Sequence, residues 1–306
     1  MKYILTLRSL GKKNQLEISL DRFNDIRQAK ELLLHALYLE EKFDLVQMNY
    51  ADFERQLLDQ ALNQLIYTTV DWSDFVGGIN DVNLRIVNLL STCRLYLDQT
   101  VHHLHEMYGE GSAVEISFKK LTNNSYDGVF GYRFLEAMRN YVQHRGFPVH
   151  AVTVGSKLDA TKGASAHSVT PFAKIDSIRE DKKFKATILE EMEKHIDKKG
   201  RIDLRPAIRD YVSSIGKIHR QLRADIQTHC ETAEQTLQAA IEDYQRLGDE
   251  DIVGLAAVVV GDKGREQDHV QIFMDFVNLR KKLATKNPCI MNLADHYVCN
   301  SLKNDA

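Results

Sequence analysis

The sequence is poor in residues that break or cross-link a chain. Its 306 residues include only 4 prolines and 16 glycines, too few for a disordered, collagen-like or linker-dominated protein. The 4 cysteines lie far apart, and no two of them form a C-x-x-C pair. Neither a disulfide framework nor a cysteine zinc site is therefore indicated. These absences predict a folded globular chain in a reducing compartment.

Long apolar runs are also missing. Arg8 interrupts the apolar start of the chain, and no stretch approaches the roughly 18 apolar residues that a membrane span needs. We therefore expect a cytoplasmic protein that has no secretion signal and no membrane partner. The composition, 43% hydrophobic and 27% charged, is that of an ordinary globular protein.

Helical periodicity dominates the sequence and predicts a mainly α fold. Apolar alternation at the start predicts a β-hairpin that turns at Gly11–Asn14. Apolar residues at three- and four-residue steps then predict helices at about 21–41, 50–69, 71–107 and 126–144. Four segments are expected in order, namely the hairpin (1–20), a helical bundle (21–146), an extended β excursion (147–178) and a C-terminal helical region with a few short strands (179–306).

The charge is unevenly distributed along the chain. The net charge of -3 gives no global attraction to nucleic acid. Residues 145–223, however, hold 17 basic and 10 acidic side chains, a net charge of +7, whereas the segments on either side carry -4 and -6. A basic middle segment is typical of a local anion-binding surface, although lysine-rich solvent-exposed helix faces have the same composition.

The predicted fourth helix ends in a group of polar and charged residues. Arg139 is followed directly by Asn140 and, after four intervening residues, by His144. At 100° per residue, Glu136, Asn140 and His144 share one face, and Arg139 lies about 140° round from His144. One helix therefore does not bring Arg139 and His144 close together.

Two other arginines are followed by a histidine after four or five intervening residues. The pair Arg145 and His150 encloses a glycine and a proline, so the two residues cannot share a helix. The pair Arg223 and His229 is helical, but alanine follows the arginine. Only Arg139 to His144 combines a helix, a polar second residue and the spacing.

This pattern on the last helix of a small bundle resembles the signature of the HEPN family of metal-independent ribonucleases. The resemblance covers about residues 21–146 and implies an up-and-down bundle that dimerises so that two arginines and two histidines surround one groove. It implies catalytic roles for Arg139, Asn140 and His144, with no metal and no cofactor. The implied activity is endonucleolytic cleavage of RNA to a 2′,3′-cyclic phosphate, as in toxins or antiviral defence effectors.

Phosphate contacts are expected from the basic segment, at Arg145, Lys198, Lys199 and Arg201. The expected partners are RNA, a second copy of the chain and an antitoxin or regulatory protein. The alternative is a non-catalytic HEPN-like module that binds RNA or a protein partner through the basic segment 145–223. Arg139, His144 and Arg145 would then be explained by their favourable interaction with the negative end of the helix dipole. His102 and Glu106 lie four residues apart, as metal ligands can, but an exposed polar helix explains them better.

Overall fold

Long helices and two small antiparallel sheets make up the protein, so the mainly α prediction is confirmed. The structure, a computed structural model, describes residues 1–8, 14–67, 71–159, 164–248, 252–262, 264–296 and 298. The helices are α1 (Leu20–Ile66), α2 (Trp72–Tyr108), α3 (Ala113–Gly128), α4 (Phe130–His144), α5 (Ile175–Arg179), α6 (Ala186–Met192), α7 (Leu204–Gln245) and α8 (Asp275–Lys286). The strands are β1 (Lys2–Leu7), β2 (Gln15–Ile18), β3 (Ala151–Asp159), β4 (Ala164–Lys174), β5 (Arg201–Asp203), β6 (Leu255–Val260) and β7 (Glu266–Gln271), and a short 3-10 turn covers Leu293–Asp295.

The predicted N-terminal hairpin is present, but it is part of a larger sheet. Strands β1 and β2 pair antiparallel, while most of the predicted turn, residues 11–13, lies outside the described residues. The sheet order is β2-β1-β6-β7, and β1 pairs along its whole length with the buried strand β6. The hairpin is therefore completed by a partner more than 200 residues away in sequence.

Two helix boundaries predicted from the sequence are wrong. Helix α1 is continuous where the pattern predicts two helices, because Phe43 and Val46 extend the buried stripe through the expected gap. Helix α3 includes the polar segment 122–125, which the sequence suggests as a turn. Its side chains Asn123 and Asn124 are exposed, so the polarity reflects a solvent-facing helix side and not a loop.

The chain forms two compact units made of interleaved segments. Unit 1 contains Met1–Lys42, Gln99–Ser117 and Gln221–Pro288, and unit 2 contains Phe43–Asp98, Phe118–Arg220 and Cys289–Ala306. This division differs from the four consecutive segments expected from the sequence. The reason is that α1, α2 and α7 each contribute one end to one unit and the other end to the other.

Unit 2 contains α4, whose apolar stripe packs into the core. Its residues Tyr132, Phe134, Leu135, Met138 and Tyr141 are buried, in good agreement with helical periodicity. The extended excursion is present as β3 and β4, which pair with each other, and β4 also pairs with the short strand β5. Residues at the end of the excursion form the short helix α5, and β5 was not predicted.

Close backbone approach fixes where α4 crosses α7. A Cβ atom added to Gly131 would lie 2.8 Å from both the carbonyl oxygen of Ala207 and the Cβ of Asp210. At the next residue of each helix, the rings of Tyr132 and Tyr211 meet at 5.1 Å in an edge-to-face arrangement. The glycine therefore allows α4 to pack directly on α7.

Candidate active site

Helix α4 ends at His144 because two successive backbone amides turn onto one carbonyl. The N–H groups of Arg145 and Gly146 both donate to the carbonyl of Tyr141, at 2.8 and 3.4 Å. Arg145 has left the helical region, with φ −134° and ψ −54°. His144 therefore lies in the last helical turn, with an exposed side chain.

A cavity of about 440 Å³ lies beside this end of α4. Its walls come from α3, from α4 and from the loop before α6. The lining residues are Tyr126, Glu136, Ala137, Asn140, Tyr141, His144, Asp181, Lys183, Phe184 and Lys185. Glu136, Asn140 and His144 thus share the cavity, as their four-residue spacing on one helix face predicts.

Arg139 lies off the cavity wall but is linked to it through Asn140. Its Nη1 donates a hydrogen bond of 3.2 Å to Oδ1 of Asn140. Its Nε is buried without an acceptor, and within the described part of the chain its guanidinium makes no ion pair. One protomer therefore places Asn140 and His144 in one cavity, and none of its described carboxylates pairs with Arg139.

Glu136 is held at the inner end of the cavity by two donors from other helices. The phenol of Tyr211 donates to one carboxylate oxygen, and Nη1 of Arg94 approaches the other at 3.4 Å. Burial raises the pKa of Tyr211 well above its ordinary value, and Cys93 and Glu136 raise it further, so the phenol keeps its proton and acts as a donor. These contacts orient a carboxylate that is only 16% exposed.

Two lysines bring positive charge to the cavity from the loop before α6. Lys183 is exposed, and its backbone N–H donates to Asp181 at 3.1 Å. The Nζ of Lys185 donates to the hydroxyl of Tyr126 at 2.7 Å and lies 5.0 Å from the centre of that ring. Both lysines line the cavity and add positive charge to it, which favours an anionic ligand.

Arg145, a predicted phosphate contact, is paired inside the protein. Its Nε donates to Oδ1 of Asp181 at 3.0 Å, and the side chain of Asp181 is only 7% exposed. The ion pair connects the end of α4 to the loop that carries the cavity lysines. Arg145, directly after His144, therefore neutralises the charge of a buried carboxylate.

The other predicted phosphate contacts separate into two kinds. Arg201 pairs with Asp197 through two nitrogens, at 2.7 and 3.0 Å, and its guanidinium lies 4.2 Å from the ring centre of Phe172. The hydrogen bond from Arg201 lowers the pKa of Asp197. Lys198 and Lys199 are exposed in the turn before β5, and neither of them lines the cavity. Arg201 thus holds this turn together, while the two lysines remain available to a ligand.

Both competing arginine–histidine pairs differ from Arg139 and His144. Arg223 donates to both carboxylate oxygens of Glu40, at 2.8 and 2.6 Å, and to the carbonyl of Asn287. The histidine of the other pair, His150, lies beyond the end of α4 and bonds to the hydroxyl of Tyr141 at 3.2 Å. Of the three pairs, Arg139 and His144 lie on one helix, and among the described residues no carboxylate forms an ion pair with this arginine.

The histidines of α2 do not form a metal site with their neighbours. Within the described residues, no group of three or more histidine, cysteine, aspartate or glutamate side chains is arranged to hold a metal ion. His103 instead lies against His35 of α1, with 3.0 Å between the two Nδ1 atoms. Burial lowers the pKa of His103 to about 4, so it is neutral at neutral pH.

Sequence reasoning placed Glu136 on the correct helix face but assigned it no role. The signal was present, because Glu136, Asn140 and His144 follow one another at steps of four residues. Lys183 and Lys185 stand in the segment identified as basic, but only the folded chain shows that they face α4. No local pattern connects residues that lie more than 40 positions apart.

Comparison of the chain with family models, curated proteins and solved structures found no match. Among the described helices, none is long and apolar enough to cross a membrane.

Proposed function

We propose that the chain is a HEPN-type, metal-independent endoribonuclease. The observation that carries the proposal is the cavity at the end of α4, where Asn140 and His144 share a wall and Lys183 and Lys185 supply positive charge. The unpaired guanidinium of Arg139, one residue from this wall, supports it further. Paired arginines commonly stabilise a fold, whereas an arginine without a carboxylate remains able to bind phosphate.

In the proposed reaction, the 2′-oxygen of one nucleotide attacks the adjacent phosphorus. The bond from phosphorus to the 5′-oxygen of the next nucleotide breaks, leaving a 2′,3′-cyclic phosphate and a 5′-hydroxyl. His144 moves a proton from the 2′-hydroxyl or to the leaving oxygen, a general acid–base role that histidine fills more often than any other side chain. Arg139 stabilises the phosphate charge that grows in the transition state, and Asn140 positions Arg139 through their hydrogen bond.

The proposed active form is a symmetric dimer. One protomer holds His144 in the cavity but leaves Arg139 outside its lining. A second copy of α4 facing the first would add its own arginine and histidine to one groove. We further propose that the enzyme acts in the cytoplasm as a toxin or antiviral defence effector, controlled by an antitoxin or regulatory protein.

The test is incubation of the purified protein with total RNA and with tRNA in the presence of a chelator. We expect cleavage that persists in the chelator and products that end in 2′,3′-cyclic phosphate. Intact RNA after prolonged incubation with folded protein would contradict the proposal.

The second candidate is a non-catalytic module that binds RNA or a protein through the basic segment. The position of Arg139 outside the cavity lining favours it, because a complete set of catalytic groups is not gathered by one chain. Salt-sensitive binding of RNA without any cleavage in the same assay would support the module over the enzyme.

A further inference from the structure

The cavity beside α4 presents a defined pattern of hydrogen-bonding groups along one wall. Glu136 offers a carboxylate, and Asn140, one turn further along, offers a side-chain amide. Residues four apart on a helix have Cβ atoms about 6 Å apart, which is close enough for one planar ligand to contact both. The half-buried ring of Tyr126 lies among the lining residues and adds an aromatic surface.

The contact with Arg139 determines which end of the Asn140 amide is available. A guanidinium can only donate, so the atom that it contacts at 3.2 Å must be the amide oxygen. The Nδ2 group is left, and within the described residues it donates to no acceptor. Asn140 therefore presents a donor to a ligand in the cavity.

Glu136 presents two acceptors. Each carboxylate oxygen accepts from one protein donor, Tyr211 or Arg94, and has a second lone pair for a ligand. The two protein donors come from α7 and α2, and together they hold the carboxylate in one orientation. The wall thus presents two acceptors, the carboxylate oxygens of Glu136, next to one donor, Nδ2 of Asn140.

We infer that this cavity is a guanine-binding subsite of the proposed ribonuclease. Guanine places two donors side by side, N1–H and the N2 amino group, next to the acceptor O6, and it is the only RNA base to do so. The two donors match the carboxylate of Glu136, and O6 matches Nδ2 of Asn140. Adenine, cytosine and uracil each lack the second adjacent donor and leave one carboxylate oxygen unpaired, which is costly in a recessed site.

His144 lies at the same cavity as this subsite. The helix rise of about 1.5 Å per residue places His144 about 6 Å beyond Asn140. The ribose of guanine lies on the N2 side of the base, so a guanine paired in this way turns its own ribose toward the Glu136 end of the wall. Lys183 and Lys185 line the same cavity for a neighbouring phosphate, and the subsite therefore predicts cleavage next to guanosine.

Binding of nucleoside 3′-monophosphates tests the subsite without any need for cleavage. By calorimetry, we expect 3′-GMP to bind at least about tenfold more tightly than 3′-AMP, 3′-CMP and 3′-UMP, since a bidentate contact gives about that discrimination. Glu136→Gln should abolish the preference, because an amide replaces one acceptor with a donor. Equal affinity for the four nucleotides, or no saturable binding of any of them, would overturn the inference.

Asn140→Asp is the second variant, chosen because Asn140 is exposed and its replacement leaves the core intact. An acceptor would then face O6, and the affinity for 3′-GMP should fall by at least about tenfold. Unchanged 3′-GMP affinity in this variant would contradict the assigned contact even if Glu136→Gln does not fold.

The guanine subsite rests on the proposed ribonuclease function, but binding of guanine and cleavage of RNA are measured separately, so either can be refuted alone. Cleavage of RNA in the chelator with no preference for sites next to guanosine would refute the guanine subsite and keep the ribonuclease. Selective binding of 3′-GMP by a protein that leaves RNA intact would keep the subsite and refute the ribonuclease.

Discussion

The arginines of α4 and of the residue that follows it differ in whether a carboxylate offsets their charge. Arg133 is paired with Glu191, and Arg145 is paired with Asp181. Arg139 contacts only the amide of Asn140 among the described residues, so its charge is the one left for an external anion. The difference separates arginines that stabilise the fold from one that suits phosphate binding.

At the residue scale, we predict that Arg139→Ala and His144→Ala each remove cleavage while the protein stays folded. Removal of a general acid or base typically lowers a rate by about 10²–10⁴-fold, and both side chains lie outside the buried stripe of α4. Initial rates on a single RNA and circular dichroism spectra measure the two effects.

The controls for these variants are Arg220→Ala and His229→Ala, which replace exposed helical residues of the same types. Both should cleave at the wild-type rate. Full activity in either of the α4 variants would remove that residue from the catalytic assignment.

At the element scale, the packing of α4 on α7 depends on a glycine. Gly131→Ala should destabilise the protein, because its new methyl group would overlap the backbone of Ala207, and overpacking typically costs about 1–3 kcal/mol. Gly77→Ala is the matched control in α2, where a Cβ meets no atom within 4 Å. That variant should gain about 0.5–1 kcal/mol from helix propensity. Chemical denaturation of the two variants should give opposite signs of change.

The contact between α4 and α6 makes part of the stability depend on pH. Arg133 donates to Glu191 at 2.7 Å, and this hydrogen bond lowers the pKa of Glu191 from its usual 4.5. A carboxyl group with a lowered pKa stabilises the fold above its unfolded pKa, and this stabilisation is lost as the pH falls through the folded pKa. The melting temperature of Glu191→Gln should therefore lie below that of wild type at neutral pH and approach it below pH 4.5. A constant difference across that range would show that the ion pair does not link α4 to α6.

At the scale of the whole molecule, we predict a homodimer in which α4 of one copy faces α4 of the other. Light scattering at micromolar concentration should give twice the mass of one chain. Mixing Arg139→Ala with His144→Ala should restore activity, because a mixed dimer keeps one intact composite site. Random pairing then gives about a quarter of the wild-type activity. A monomer that retains cleavage would contradict the arrangement.

The salt dependence of RNA binding tests two groups of lysines, Lys183 and Lys185 at the cavity and Lys198 and Lys199 outside it. Each phosphate contact to single-stranded RNA adds about 0.7 to the slope of log affinity against log salt, so replacing Lys183 and Lys185 with glutamine should flatten that slope by about 1.4. Replacing Lys198 and Lys199 should flatten it similarly but leave the cleavage position unchanged, because they lie outside the cavity. The control is glutamine at Lys281 and Lys282 of α8, where the slope should stay at its wild-type value. An unchanged slope in both test variants would reduce the basic segment to an ordinary solvated surface.

Features that depend on neighbours in sequence were predictable. The apolar periodicity of the predicted helix 126–144, the glycine and proline that follow and the shared face of Glu136, Asn140 and His144 are all local, and the structure contains them in α4. The predicted start of that helix is wrong, because residues 126–128 belong to α3 and α4 begins at Phe130. Local patterns gave a wrong prediction at residues 122–125, where polar residues suggested a turn but belong to the exposed side of α3. They also gave a wrong prediction near Phe43, where buried apolar residues continue the helix between the two predicted helices 21–41 and 50–69.

The sequence by itself thus determined the mainly α content, the end of α4 and the spacing of its polar face, because backbone geometry converts spacing directly into direction. Only the tertiary structure decided which charges are offset and which groups converge. Arg145 meets Asp181, Arg201 meets Asp197, and Lys183 and Lys185 reach the wall of α4. These contacts depend on how distant segments pack, and packing depends on the shape of the whole core and not on any short stretch of chain.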